Sequence, residues 1–186
     1  MIKVYTGNGK GKTTSALAEA LIGVSCKKKV MMVQFLKGST YSGELMTLHR
    51  LGVPVLQFGV GCRWSGMIRM GLRHCNNCGE CFRENRRPEI GTPLVQQGLN
   101  YLKQVVTSQE FNLIILDEVS HVLNKGFLDL GELVKIIVSK DKLIDWVLTG
   151  RTMSEELMPY VDEWIELDEI KHPFRLGVKS RRGIEY

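Results

Sequence analysis

The residues best suited to chemistry stand near the start of the chain. Gly7, Asn8, Gly9, Lys10, Gly11, Lys12, Thr13 and Thr14 lead from a short apolar stretch directly into a helical one. Glycine at 7, 9 and 11 lets the backbone take positive φ and turn successive N–H groups inward, and Lys12 adds a point charge for phosphate oxygens. Thr13 is spaced to hold Mg2+ through its hydroxyl. The strict phosphate-loop pattern GxxxxGK[ST] asks for glycine at 6, where this chain carries Thr6. A nucleoside triphosphate is the expected ligand.

Two further groups could do chemistry. Leu113, Ile114, Ile115 and Leu116 run into Asp117 and Glu118, an apolar strand ending in two acids. In phosphate-loop proteins an acid there supports the metal, so Thr13 with Asp117 or Glu118 is expected to hold Mg2+. Glu118 could instead activate water, which would make the chain a hydrolase. The other group is Cys75, Cys78 and Cys81, a C-x2-C-x2-C run with Cys62 upstream and His74 adjoining. In a cytosolic chain that spacing suits a metal better than disulfides. It is similar to an iron–sulfur run without the following Cys-Pro, whereas zinc more often shows two separated pairs. A [4Fe–4S] cluster and Zn2+ stand as near equals, with reduced, unliganded thiols as the alternative. Cys26 lies far from the run and reads as a small buried residue.

These groups need elements to position them. Residues 2–5 read as a strand, 13–24 as a helix returning over a sheet, and 29–36 as a buried parallel strand because its apolar residues are nearly continuous. Strands are also expected at 53–58, 112–116, 143–148 and 161–167, and helices at 92–107, 130–138 and 154–160. The alternation predicts an α/β fold of the P-loop NTPase-like kind, a mainly parallel sheet flanked by helices, with ligands beyond the carboxyl ends of the strands. The glycine-rich, polar stretch 59–91 reads as a cysteine-containing loop insertion within a single domain spanning 1–186.

Composition narrows the classes. With 186 residues, 44% apolar and 24% charged, the chain is of globular type with room for a core. No apolar run reaches membrane-spanning length and no basic-then-apolar leader opens the chain, so a cytoplasmic location and no membrane partner are expected. A net charge of +5 attracts anions. No recognition motif for nucleic acid accompanies it, so none is expected as a partner.

In one order along the chain come the loop 6–14, Val33-Gln34-Phe35-Leu36-Lys37-Gly38, Gly43-Glu44, Leu116-Asp117-Glu118, Leu148-Thr149-Gly150-Arg151, Lys171-His172-Pro173-Phe174 with Gly177, and Gly183-Ile184-Glu185-Tyr186. Together they resemble the P-loop ATP:corrinoid adenosyltransferases. The resemblance implies that cobalt of a reduced corrinoid, cobalamin or cobyrinic acid a,c-diamide, attacks C5′ of ATP and triphosphate leaves. It implies that residues 7–14, with Lys12 and Thr13 foremost, contact the triphosphate and that Arg151 is a second phosphate-side cation. It places Trp64 where relatives pack an aromatic against the corrinoid's lower face, although ordinary core or dimer packing would explain Trp64 equally well. An electron donor such as a flavoprotein or ferredoxin is implied, and a homodimer is allowed. His172 is not expected to be catalytic. Three departures stand out: the chain begins at the first strand, Cys62 lies near a position where relatives carry an aromatic, and the cysteine cluster is added. The alternative reading is an ATP- or GTP-hydrolysing switch or metallochaperone.

Overall fold

The computed structural model describes residues 1–38, 43–76, 78–138 and 144–170. The expected start of the fifth strand at 143 and the carboxyl-terminal motif from 171 onward, His172 included, lie outside the described residues. Six strands form one sheet in the order β3-β2-β4-β5-β1-β6, and every pairing is parallel. They are β1 (Ile2–Thr6), β2 (Val30–Phe35), β3 (Val55–Phe58), β4 (Leu113–Asp117), β5 (Asp145–Thr149) and β6 (Glu163–Glu166). Every residue of β2 and of β4 is buried, whereas β3 and β6 at the two edges are partly open. Continuous apolar runs therefore became interior strands covered on both faces.

Side chains alternate between the faces. Val4, Met31, Val33, Phe35, Ile114, Leu116, Trp146 and Leu148 enter one core with Val95, Leu99 and Leu102 of α5 (Pro88–Ser108), and with α6 (Val119–Asn124) and α7 (Leu130–Ile137). Tyr5, Met32, Ile115 and Val147 enter the other with Ala16 and Ala20 of α1 (Lys12–Ser25) and Leu48 of α2 (Gly43–Arg50). Burying a Leu, Val or Phe side chain is worth about 1.5–3 kcal/mol, so these two layers fix the sheet and with it the strand ends.

The sequence reading differs from the structure mainly in 59–91. Instead of a loop throughout, that stretch holds α3 (Ser65–Arg69) and α4 (Glu80–Asn85), and α5 starts at Pro88, not 92. Helices of one to two turns are too short to show a 3.6-residue rhythm. Proline at the first helical position also costs no hydrogen bond, which lets α5 begin there. Residues 155–160 form a 3-10 turn. Cys26 is exposed just beyond α1, not buried.

Candidate active site

The loop of residues 6–11 joins the carboxyl end of β1 to α1. Gly11 sits at φ 115° immediately before the helix, a conformation that glycine adopts without strain. No side chain caps α1 and no acid lies in its first turn, so its first N–H groups and the positive end of its dipole are left for an anion. The opposite side of the loop is fixed by backbone. A Cβ at Gly9 would fall 2.5 Å from the Leu167 carbonyl oxygen, and the Gly9 N–H donates to that oxygen at 2.6 Å. Only glycine permits this approach. Thr6, the departure from the strict pattern, is buried and tied in place. Its hydroxyl donates to the Arg151 carbonyl at 3.2 Å and accepts from the Met153 N–H at 3.1 Å, and the Gly7 N–H donates to the same Arg151 carbonyl at 3.0 Å. The loop is thereby latched to the chain leaving β5.

Lys12 folds back on this loop, its ammonium donating to the carbonyls of Gly7 at 2.8 Å and Gly9 at 2.6 Å. Burial lowers its pKa and the charge of Arg151 adds to that, while Glu118 and Asp117 oppose. A polyanion beside Lys12 would restore the preference for the charged form.

Asp117 ends β4 and is fully buried. One carboxylate oxygen accepts from the hydroxyls of Thr13 at 2.9 Å and Thr149 at 2.6 Å. The other accepts from the Gln34 amide at 3.0 Å and the Lys37 ammonium at 2.8 Å. Burial pushes its pKa up, but the Lys37 charge and the bonds from Lys37, Thr149 and Thr13 outweigh this and hold it below the usual carboxylate range. Lys37 is correspondingly raised: burial opposes, and the charges of Asp117 and Glu44 prevail. Lys37 reaches Asp117 because Leu36, at φ 55°, turns the chain back as it leaves β2. Glu44 adds a carboxylate oxygen 3.3 Å from the Gln34 amide and 3.6 Å from the Lys37 ammonium.

Glu118 caps α6 at φ 63°, its N–H donating to the Thr149 hydroxyl at 3.1 Å. Its carboxylate lies 2.7 Å from His121 Nδ1, but the two are not aligned as a hydrogen bond. Glu118 Oε2, His121 Nδ1 and Ser120 Oγ are all buried without a hydrogen-bond partner among the described residues. Native proteins leave few such atoms unmatched, and here they cluster at the carboxyl end of β4.

The structure thus joins Lys12, Thr13, Asp117, Glu118 and Arg151 around one loop. Trp64 follows β3, four strand spacings from β1, or roughly 19 Å along the sheet. It belongs to neither core. The Arg73 guanidinium lies 4.0 Å from its ring centroid and that of Arg63 5.4 Å. None of the five cysteines forms a disulfide, and no three ligating side chains among the described residues already stand at metal-holding positions. The sequence reading missed Thr149, His121 and the part of Gln34 and Lys37 in the site. A glutamine and a following lysine at the end of an otherwise apolar strand were the available signal for the last two. A cavity of about 490 Å³ between α5 and α7 contains no residue of the phosphate loop 6–14.

A parallel α/β sheet with a phosphate loop after β1 and a hydroxyl-linked acid at the end of β4 defines a P-loop nucleotide-binding protein. Residues 1–186 match the family model for ATP:corrinoid adenosyltransferase BtuR/CobO/CobP, and the chain belongs to that family. It is similar to the corrinoid adenosyltransferase of Escherichia coli (strain K12), with 30% identity over 186 residues covering 100% of this chain and 85% of the relative. It is similar also to the corrinoid adenosyltransferase CobA of Salmonella typhimurium (28%, 85% of the relative) and to the enzyme of Pseudomonas aeruginosa (26%, 83% of the relative), each covering all of this chain. The chain is a transferase that moves the adenosyl group of ATP to a corrinoid, and the switch or metallochaperone alternative is not favoured. No helix among the described residues is long and apolar enough to cross a membrane.

Proposed function

We propose that the loop 7–14 grips the triphosphate of ATP while the cobalt of a reduced corrinoid attacks C5′. The Co–C bond forms, the C5′–O bond breaks, and its electron pair leaves with triphosphate. Lys12, the N–H groups at the start of α1 and Arg151 neutralise the charge that develops on the leaving group, an effect worth about 10²–10³ in rate for a single well-placed donor. Reduced cobalt is itself the nucleophile, so no general base is required. Glu118 then serves to bind and orient, not to activate water.

The hydroxyl of Thr13 donates a hydrogen bond to Asp117, which leaves its lone pairs turned away from the carboxylate. That oxygen, with the Glu118 carboxylate close by, fits Mg2+, which takes one or two protein oxygens and completes its shell with phosphates and water. When bound, the ion would neutralise triphosphate charge. Asp117 already accepts four bonds, so it acts on the ion through Thr13. The observation that carries this reading is the Thr13–Asp117 bond beside Lys12.

The corrinoid lies along the carboxyl edge of the sheet with Trp64 toward its lower face. A flavoprotein or ferredoxin supplies the electron, and a second copy covers the site in a homodimer. The protein acts in the cytoplasm as a single domain with 59–91 as an insertion. Lys12→Met tests the reading. With ATP, Mg2+ and chemically reduced corrinoid, formation of the light-sensitive adenosyl product should slow by about 10²-fold or more. A rate within twofold of wild type would overturn it.

A further inference from the structure

The insertion is assembled in a way that the transfer reaction does not explain. Asn85 of α4 is buried and acts as a clasp: its carbonyl oxygen accepts from the Val60 N–H at 2.6 Å, and its amide donates to the carbonyls of Val60 at 2.8 Å and Cys81 at 2.7 Å. This sets the segment carrying Cys62 against the helix carrying Cys81. Arg63, next to Cys62, pairs with Glu80, next to Cys81, at 3.0 Å, and the Arg83 guanidinium holds the Cys78 carbonyl at 3.1 Å. Between Cys78 and Cys81, Gly79 turns the chain at φ 71°, with open space where a Cβ would lie. Its glycine is needed for the turn and not for packing.

The sulfurs also receive donors suited to thiolates. The Trp64 N–H points to Cys62 Sγ at 3.4 Å, and the Phe82 N–H bonds to Cys81. Cys62, Cys75 and Cys78 all lie within electrostatic reach of Cys81. Four adjacent thiolates repel unless a cation draws them together. The segment also carries Arg63, Arg73, Arg83 and Arg86, whose charge favours an anionic assembly.

We propose that Cys62, Cys75, Cys78 and Cys81 ligate one thiophilic metal centre that pins residues 60–85, and with them Trp64, beside the carboxyl edge of the sheet. Three ligands come from the C-x2-C-x2-C run and the fourth from the segment that Asn85 clasps, a division suited to a cubane cluster and to tetrahedral zinc alike. No three of these side chains stand at metal-holding positions in the unliganded chain, so binding would draw the sulfurs inward. The proposal is independent of the corrinoid reading because its test does not measure turnover.

Full-length protein purified anaerobically, and a sample reconstituted with ferrous iron and sulfide or with Zn2+, would be assayed for iron, zinc and acid-labile sulfide. About one zinc, or about four iron with matching sulfide and visible absorbance, per chain supports the proposal and identifies the centre. Alkylation followed by mass spectrometry provides a readout on the unaltered chain. Cys62, Cys75, Cys78 and Cys81 should be protected at least tenfold when metal is present and lose that protection on chelation, while Cys26 reacts equally in both. Single serine variants at the four positions should lose the metal, and Cys26→Ser should keep it. A metal-free protein after both reconstitutions, or Cys62 reacting at the same rate with and without metal, would overturn the four-ligand site.

Discussion

Replacing Asp117 with Asn changes almost no volume and tests the hub most sharply. The Asn oxygen can still accept from Gln34 and Lys37. The amide must then face the hydroxyls of Thr13 and Thr149, and Thr149 already receives the Glu118 N–H. The Lys37 ammonium has no acceptor to offer and keeps only Glu44, at 3.6 Å, as a counter-charge. Removing one partner of a buried ion pair costs about 3–5 kcal/mol. Because 29% of the Lys37 side chain meets solvent, about 2–4 kcal/mol is expected here. That is a large part of a total stability of about 5–15 kcal/mol. Urea unfolding followed by circular dichroism should show a lower midpoint with unchanged slope. Lys37→Met should cost at least about 1 kcal/mol less in the Asp117→Asn background than in wild type. A loss below about 1 kcal/mol, or strictly additive effects, would refute the claim that these groups form one network.

The same carboxylate predicts a pH dependence. Its native pKa lies below an unfolded value of about 3.9, so its contribution is complete above that pH and disappears as pH falls through the native value. The stability gap between wild type and Asp117→Asn should therefore shrink in acid below about pH 4, and a gap that stays constant down to pH 2 would contradict the assignment. Gly9→Ala places a Cβ against the backbone of Leu167 and Asp168, so ATP affinity by calorimetry should fall at least about tenfold, or about 1.4 kcal/mol, with the fold retained. Unchanged affinity would show that the loop is not held as described. Chelating Mg2+ should suppress transfer by about 10²-fold and its return should restore it, and metal-independent turnover would remove the ion from the account. Trp64→Ala should lower the corrinoid-dependent rate while KM for ATP stays within twofold, and a rate unaffected by that change would assign Trp64 to packing alone.

The sheet was legible because its central strands β2 and β4 are short and nearly continuous in apolar residues, the pattern that a strand covered on both faces requires. The loop and the acids at the end of β4 were legible because phosphate binding places its residues within one turn of chain. Lys37, Gln34 and Thr149 were not, since they meet Asp117 only when β2, β4 and β5 lie side by side, and sequence spacing carries no trace of that adjacency. Leu36 hides the most. Its left-handed turn aims Lys37, and leucine gives no sign of such a turn. The choice between Asp117 and Glu118 was open in the sequence because the two are adjacent. Burial and hydrogen bonding separate them, with four donors around the first and only His121 Nδ1, at 2.7 Å, beside the second.

The most direct test of the central claim is the fate of the phosphates in a single incubation with ATP, Mg2+ and reduced corrinoid. Attack at C5′ predicts that intact triphosphate and adenosyl-corrinoid appear in equal amounts and that neither forms when corrinoid is left out. Orthophosphate released without corrinoid, or adenosyl product without matching triphosphate, would contradict it.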